Sequence, residues 1–403
     1  MGRGRHHDAF IGVFYTVSLG ALGGFVPQIG ARIEKLGIDG WELGLLLGLL
    51  ALGRLVSAPL WGLLADRYRL AGWTVRVGAL MSLAGMILLC HAATPTEAGF
   101  GLLTVAVGRT PLGPIVDAIV LDDVVASGRP SSAYGPLRVW GSVGFLAAAV
   151  VSGRVAETGC DPLLVALVLS AVTLVLTLGF PGRAAGRTAP IGPAISALFA
   201  QPGFLALLAF GACQALTISV YDTFFSVHVR ALGLSPTVTS NAVFVGVSVE
   251  VAVMAAGRRI LARVGRGRAL VIAALSAIPR WILTAYLIDP TALALVQGLH
   301  GISFALFWIA GVEEVARRAE VAGAGKLDIS ASAQSLWAAG TYGFGALVGA
   351  LGAGAIRQVW GTAAVFEACA GISVLATGFA WRGWVTSPAC APSDGPALAA
   401  PKS

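Results

Sequence analysis

The sequence predicts an all-α polytopic membrane protein with about twelve transmembrane helices in two six-helix bundles. Three observations carry that expectation. The 403-residue chain is 57% hydrophobic and only 12% charged, with a mean hydropathy of +0.83, a combination that soluble domains rarely reach. Apolar runs of about 20 residues, the length that crosses a hydrocarbon core, recur along the whole chain. Cationic residues gather in alternate connections between those runs, as the positive-inside rule requires.

The spans fall near 9–32, 41–65, 72–92, 98–123, 134–156, 161–181, 203–229, 236–262, 268–288, 290–316, 329–356 and 361–385. The first follows Arg3, Arg5, His6 and His7 like a signal peptide, yet it has no small-x-small cleavage site and runs on too long, so it reads as a retained helix. Pro111 and Pro114 should kink the fourth. The run Leu163–Leu178 does not alternate in polarity, which excludes a barrel strand. Pro181 to Pro190 is the most breaker-rich interior stretch and divides six spans from six. The eleventh span holds Gly340, Gly343, Gly345, Gly349 and Gly352, small residues that let membrane helices approach closely. The expected organisation is an N-terminal bundle over 1–181, a cytoplasmic linker over 182–200, a C-terminal bundle over 201–386 and a disordered tail over 387–403.

The net charge of +7 does not point to nucleic acid, because the basic residues sort by loop. Arg67, Arg69 and Arg76 follow span two, Arg129 span four, Arg183 and Arg187 span six, Arg258 to Arg268 span eight, and Arg317, Arg318 and Lys326 span ten. The other loops hold only Arg32, Lys35, Arg154, Arg230 and Arg357. Both termini are therefore expected in the cytoplasm, with the chain in the cytoplasmic (inner) membrane. The five cysteines have no metal or redox spacing. The sequence has no His-rich metal motif, no Gly-x-Ser-x-Gly elbow and no phosphate loop. No cofactor, no metal and no enzymatic activity are expected, and the protein is expected to be a monomer.

Against this apolar background, Arg54, Arg109, Asp117, Asp222, Glu250, Arg280 and His300 sit inside predicted spans. An ionisable group at membrane depth costs about 2.5–3.5 kcal/mol on insertion scales and persists where it pairs or lines a wet cavity. Both signs occur, which is what a polar pathway through a bundle needs. Arg54, Asp117 and Arg138 are candidates for a network in the first half. Gln297, His300, Phe304 and Phe307 share one helix face, as do Gln214, Tyr221 and Phe225. Such stripes suit either packing or a binding wall.

The segment Gly62-Leu-Leu-Ala-Asp66-Arg67-Tyr-Arg69 resembles the loop two–three signature of the major facilitator superfamily, with Arg69 where the second glycine stands. Leu52-Gly-Arg54 through Pro59 and Trp61, Tyr134 through Arg138 and Trp140 to Phe145, Glu250, Pro279-Arg280-Trp281 and Leu299-His300-Gly301 through Phe304 are similar to the branch holding phenylpropionate permeases, near the lactose-permease and nucleoside-symporter groups. That resemblance implies alternating access between two halves around a central site. It implies a conformational latch at Gly62, Asp66 and Arg67, and proton coupling through Glu250, Arg280 and His300, with Asp117 as a further candidate. In general, burial raises a carboxyl pKa and a nearby Arg lowers it, so a carboxyl that changes neighbours can load and release a proton. Ser303 stands where lactose permease has a further carboxylate, which makes Glu250 the favoured proton site. Glu313 and Glu314 lie more than two turns farther along the helix.

The expected function is proton-coupled uptake of a small organic solute, with substrate contacts from Arg54, Arg109, Arg138, Gln214, Tyr221, Asp222, Gln297 and Phe304. An excess of cations suggests an organic anion such as an aromatic carboxylate. A sugar or nucleoside symporter and a drug or metabolite antiporter use the same parts. A non-transporting receptor or assembly factor on the same fold is the reading from another class.

Overall fold

The computed structural model describes residues 2–68, 70–128, 134–180, 196, 198–323 and 330–385. Among them every regular element is helical: α1 Gly2–Glu34, α2 Gly40–Arg67, α3 Ala71–His91, α4 Pro95–Arg109, α5 Pro114–Ala126, α6 Tyr134–Glu157, α7 Leu163–Thr177, α8 Phe204–Ala231, α9 Pro236–Val264, α10 Arg266–Tyr286, α11 Pro290–Leu295, α12 Gly298–Gly323, α13 Ser330–Ala338 and α14 Ala346–Val385. The starts are set by local chemistry. Asp39 accepts from the Gly40 N–H, Thr94 and Glu97 form a reciprocal capping box on α4, and Ser235 and Asp289 cap helices that open on Pro236 and Pro290. Each cap satisfies amide donors that a helix start leaves bare.

Among the described residues ten apolar stretches are long enough to cross a membrane, and α7 adds a shorter one. Leu336–Val385 runs for 50 residues, about 75 Å at 1.5 Å per residue and far more than one crossing needs. It breaks at Gly361, whose φ of 82° suits a residue without Cβ. The break divides it into two spans and brings the total to twelve. The fourth span is α4 and α5 joined by a 3-10 turn over Thr110–Leu112, at the prolines that predicted a kink. The eleventh is α13, a π-helical turn over Ala339–Gly345 and the first part of α14. With twelve crossings, both termini share one end of the bundle, here the terminal end. The expected linker and tail fall largely outside the described residues.

The first six spans and the last six form two bundles. Between them α2 packs on α14, α6 on α9 and α1 on α8. These contacts demand glycine: a Cβ at Gly30 would stand 1.8 Å from the Thr223 carbonyl oxygen, and one at Gly44 would stand 2.7 Å from that of Ala350. The approach is closest at the end opposite the termini. There Arg357 bridges Glu34 and Asp39, and Arg230 reaches Glu34 at 3.7 Å. The Trp41 N–H donates to Gln358 Oε1 at 3.2 Å. Thr237 Oγ1 donates to Glu157 at 2.8 Å, and Ser240 Oγ to the Ala149 carbonyl at 2.7 Å. The hydrogen bonds and ion pairs that join described residues of the two halves all lie in this layer, so the bundle is sealed at that end.

Candidate functional site

Inside the seal, between the halves, lies a cavity of about 360 Å³. The first half lines it with α1, α2 and α6, and the second with α8, α9, α12, the π-helical turn and α14. Seven of the residues expected to couple protons or contact substrate reach it, namely Arg54, Arg138, Tyr221, Asp222, Glu250, His300 and Phe304, and so does Phe225 of the seventh-span stripe. Arg54 is exposed to the cavity although it sits deep in the bundle.

The second-half wall is built by close packing. Gly301 allows α12 to approach α9 until a Cβ there would stand 2.4 Å from the Glu250 amide nitrogen. That approach sets Glu250 Oε2 3.7 Å from His300 Nε2. The imidazole lies between two rings, with centroids 5.4 Å from Tyr221 and 5.2 Å from Phe304, nearly parallel to both. Phe304 continues to Trp308 at 6.3 Å. Of the stripe expected on the tenth span, His300 and Phe304 face the cavity and stack in line with Trp308, while Phe307 is buried against Phe210 and Trp337. His300 Nδ1 and Tyr221 Oη are buried without a hydrogen-bond partner. Such groups cost about 1–3 kcal/mol each unless a ligand or water completes them.

Several candidates stand elsewhere. Arg280 is not paired with Glu250. Its Nε donates to Gln297 Oε1 at 2.9 Å, and its guanidinium lies 4.4 Å from the Tyr221 ring and 3.9 Å from the Trp281 ring. It is fully buried behind the wall, with both Nη atoms unpartnered. Gln297 is turned the same way and also donates to Thr284 Oγ1 at 3.0 Å. Gln214 is buried in α8 and does not line the cavity. Arg109 donates to the Ser18 carbonyl at 2.9 Å and ties α4 to α1. Of the network expected in the first half, Asp117 and Arg138 pair and Arg54 stays apart: Asp117 accepts from Tyr15 Oη at 2.7 Å and lies 3.7 Å from Arg138 Nε. The side chains of Asp66 and Arg67 are outside the described residues. Gly62 has open space where a Cβ would stand.

Residues 10–368 match the family described as MFS_1 like. The chain belongs to that family. It is therefore a secondary transporter with many membrane crossings, and its partners are the bilayer and a small-molecule substrate; the family and its neighbours are permeases, not enzymes. The maltose permease of Geobacillus stearothermophilus is 27% identical over 69% of this chain and 70% of its own length. The nucleoside permease NupG of Escherichia coli (strain K12) is 22% identical over 84% and 85%. The probable 3-phenylpropionic acid transporter of the same strain is 27% identical over 74% and 79%. A solved structure of the nucleoside transporter NupG superposes with a TM-score of 0.78 at 20% identity, covering 92% of this chain and 98% of that one. The shared fold is that of the major facilitator transporters.

Sequence reasoning missed three parts of this MFS_1 like chain. Tyr342 lines the cavity from the π-helical turn, a distortion that no periodicity announces. The Glu34–Arg357–Asp39 bridge had one available signal, since Arg32, Arg230 and Arg357 are cations on the otherwise cation-poor end. Each of the three has a carboxylate partner. At the terminal end of the second half, Glu314 accepts from Arg317 at 2.6 Å and Arg318 at 2.9 Å, with Arg266 at 3.4 Å. Only a turn at Gly265 separates α9 from α10, so the arginines of Arg258–Arg268 sit on two helix ends rather than in a loop.

Proposed function

We propose that the protein is a monomeric proton symporter of the cytoplasmic membrane that takes up a neutral, hydroxyl-bearing ring compound, a sugar or a nucleoside. The observation that carries this reading is the charge balance of the cavity. Arg54 and Arg138 line it, and so do Asp222 and Glu250. The cationic excess that favoured an organic anion is gone, because Arg109 and Arg280 do not line the cavity and donate to Ser18 and Gln297 instead. Two carboxylates beside two guanidiniums suit hydroxyl groups, which both donate and accept. A free carboxylate on the ligand would face Asp222 and Glu250. The His300–Phe304 ladder gives a flat ring something to stack on. The names of the maltose and nucleoside permeases fit the same class of solute.

Glu250 is the proton site in this reading. It faces both the cavity and His300, so its neighbours change when the cavity opens to the other side. The arginine distribution sets the termini in the cytoplasm, which makes the sealed end the outer one and this conformation the inward-facing one. Labelling of single cysteines at 126 from the cytoplasmic side and at 95 and 289 from outside tests that orientation.

The deciding experiment is uptake into proteoliposomes of labelled uridine, maltose and 3-phenylpropionate, with and without an acid-outside gradient. Gradient-dependent accumulation of a neutral compound is the expected result, and a protonophore should abolish it. Accumulation of 3-phenylpropionate alone would return the anion reading. Accumulation that is indifferent to pH would remove the proton. Substrate binding without movement of any compound would favour a receptor.

A further inference from the structure

We propose that Asp222 and Arg54 form an ion pair across the cavity whenever the empty carrier closes at the terminal end, and that bound substrate takes the place of that pair. The inference rests on the transport reading above for its meaning, but its geometry is independent of the solute.

The two groups belong to opposite halves, Arg54 to α2 and Asp222 to α8, and both line the cavity. Among the described residues neither makes a hydrogen bond or ion pair. Each lies within the electrostatic field of the other. The remaining charged and titratable groups around Asp222 are Arg280 from α10, Glu250 from α9, Tyr342 from the π-helical turn and its neighbour Tyr221. Arg280 is the nearest rival. It is held by Gln297 and by the faces of Tyr221 and Trp281, and its Nη atoms meet no acceptor. It is a fixed cation of the same half and does not move toward Asp222 when the halves move. Arg54 does.

The contact that would bring Arg54 across is already half made. Leu55, the next residue on α2, touches the π-helical turn so closely that a Cβ at Gly343 would stand 2.5 Å from its Cδ1. Arg54 therefore sits at the edge of the inter-half contact, on the side still open. Closing that side removes water from both charges. A lone guanidinium or carboxylate is strongly disfavoured in that setting, whereas the two together offset much of the cost. A substrate with donors and acceptors does the same job by keeping Asp222 and Arg54 solvated. The empty carrier then returns only through the pair, and the loaded carrier returns without it.

The test uses the full-length chain in lipid nanodiscs without substrate. Spin labels on cysteines at 126 and 321, exposed positions at the terminal ends of the two halves, report the distance between those ends. The unmodified protein should show a short-distance population, the closed empty carrier. Arg54→Gln and Asp222→Asn should each deplete it at least tenfold, and the charge reversal R54D/D222R should restore it. In proteoliposomes the single variants should lose net uptake by at least the same factor. Absence of the short population in the unmodified protein, its persistence in Asp222→Asn, or failure of the reversal to restore it overturns the proposal. Failure of the unmodified protein to carry uridine or maltose would instead overturn the substrate reading and leave the distance measurement standing.

Discussion

The seal and the cavity lie on the same interface between the same two halves, and both are polar, yet among the described residues ion pairs cross from half to half at the first and not at the second. At the seal, Arg357 has two carboxylates, Arg230 has one, and Glu157 accepts from two hydroxyls. In the cavity wall and behind it, His300 Nδ1, Tyr221 Oη and both Arg280 Nη atoms make no hydrogen bond. Buried polar groups are ordinarily satisfied. A layer whose charges are complete holds one conformation. A layer whose donors and acceptors are left over can offer them to a solute, as the proposed binding surface requires.

Substitutions break this contrast with graded effects. The largest is expected in the cavity. One pH unit corresponds to 1.36 kcal/mol, so a two-unit gradient drives roughly hundredfold accumulation through one proton. Glu250→Gln should bring that to about one while exchange continues, because Gln keeps the shape of the protonated acid and cannot ionise. Accumulation at the unmodified level would move the proton site to Asp222 or Asp117.

At the seal, Arg357→Ala strips Glu34 and Asp39 of their shared cation. The expected loss is about 2 kcal/mol, roughly thirtyfold in the ratio of sealed to open carrier. Alkylation from outside of a cysteine at 226, where Ser226 is buried against Ala31 of the other half, should speed up by a similar factor; an unchanged rate would show that the glycine contacts alone hold the layer.

Gly30→Ala probes those contacts directly. Its methyl group has no room against the Thr223 carbonyl, and overpacking of this kind costs about 1–3 kcal/mol. The same alkylation assay should respond, with little change in the thermal stability of the solubilised protein, since the clash exists only when the halves meet. A large drop in melting temperature would mean that the α1–α8 contact supports the fold in every state.

Gly62→Ala should do least. Nothing stands where its Cβ would go, and the change in stability should stay below about 1 kcal/mol. A transport defect at unchanged melting temperature would place Gly62 in a contact made only when the terminal end closes, which would sharpen the latch expected from the sequence motif.

Much of the fold was legible because it depends on local properties. Span length follows from the thickness of a hydrocarbon core. The kink at Pro111 and Pro114 follows from missing donors. The candidate site was legible as a set of residue types and not as an arrangement. Seven of the residues meet at the cavity, while Arg280 and Gln297 turn behind it and Arg109 turns to α1.

The sequence by itself determined the class, the number of spans and which charges had to find partners, since the cost of a charge in an apolar helix is paid by that residue wherever its helix goes. Only the tertiary structure decided which partners they found. Pairing depends on how far each helix is rotated and how closely its axis approaches the next, and glycines at distant positions set that. Gly301 brings Glu250 to His300 instead of Arg280, and Gly30 and Gly44 let one end of the bundle close on Arg357 while Arg54 and Asp222 remain apart across open space.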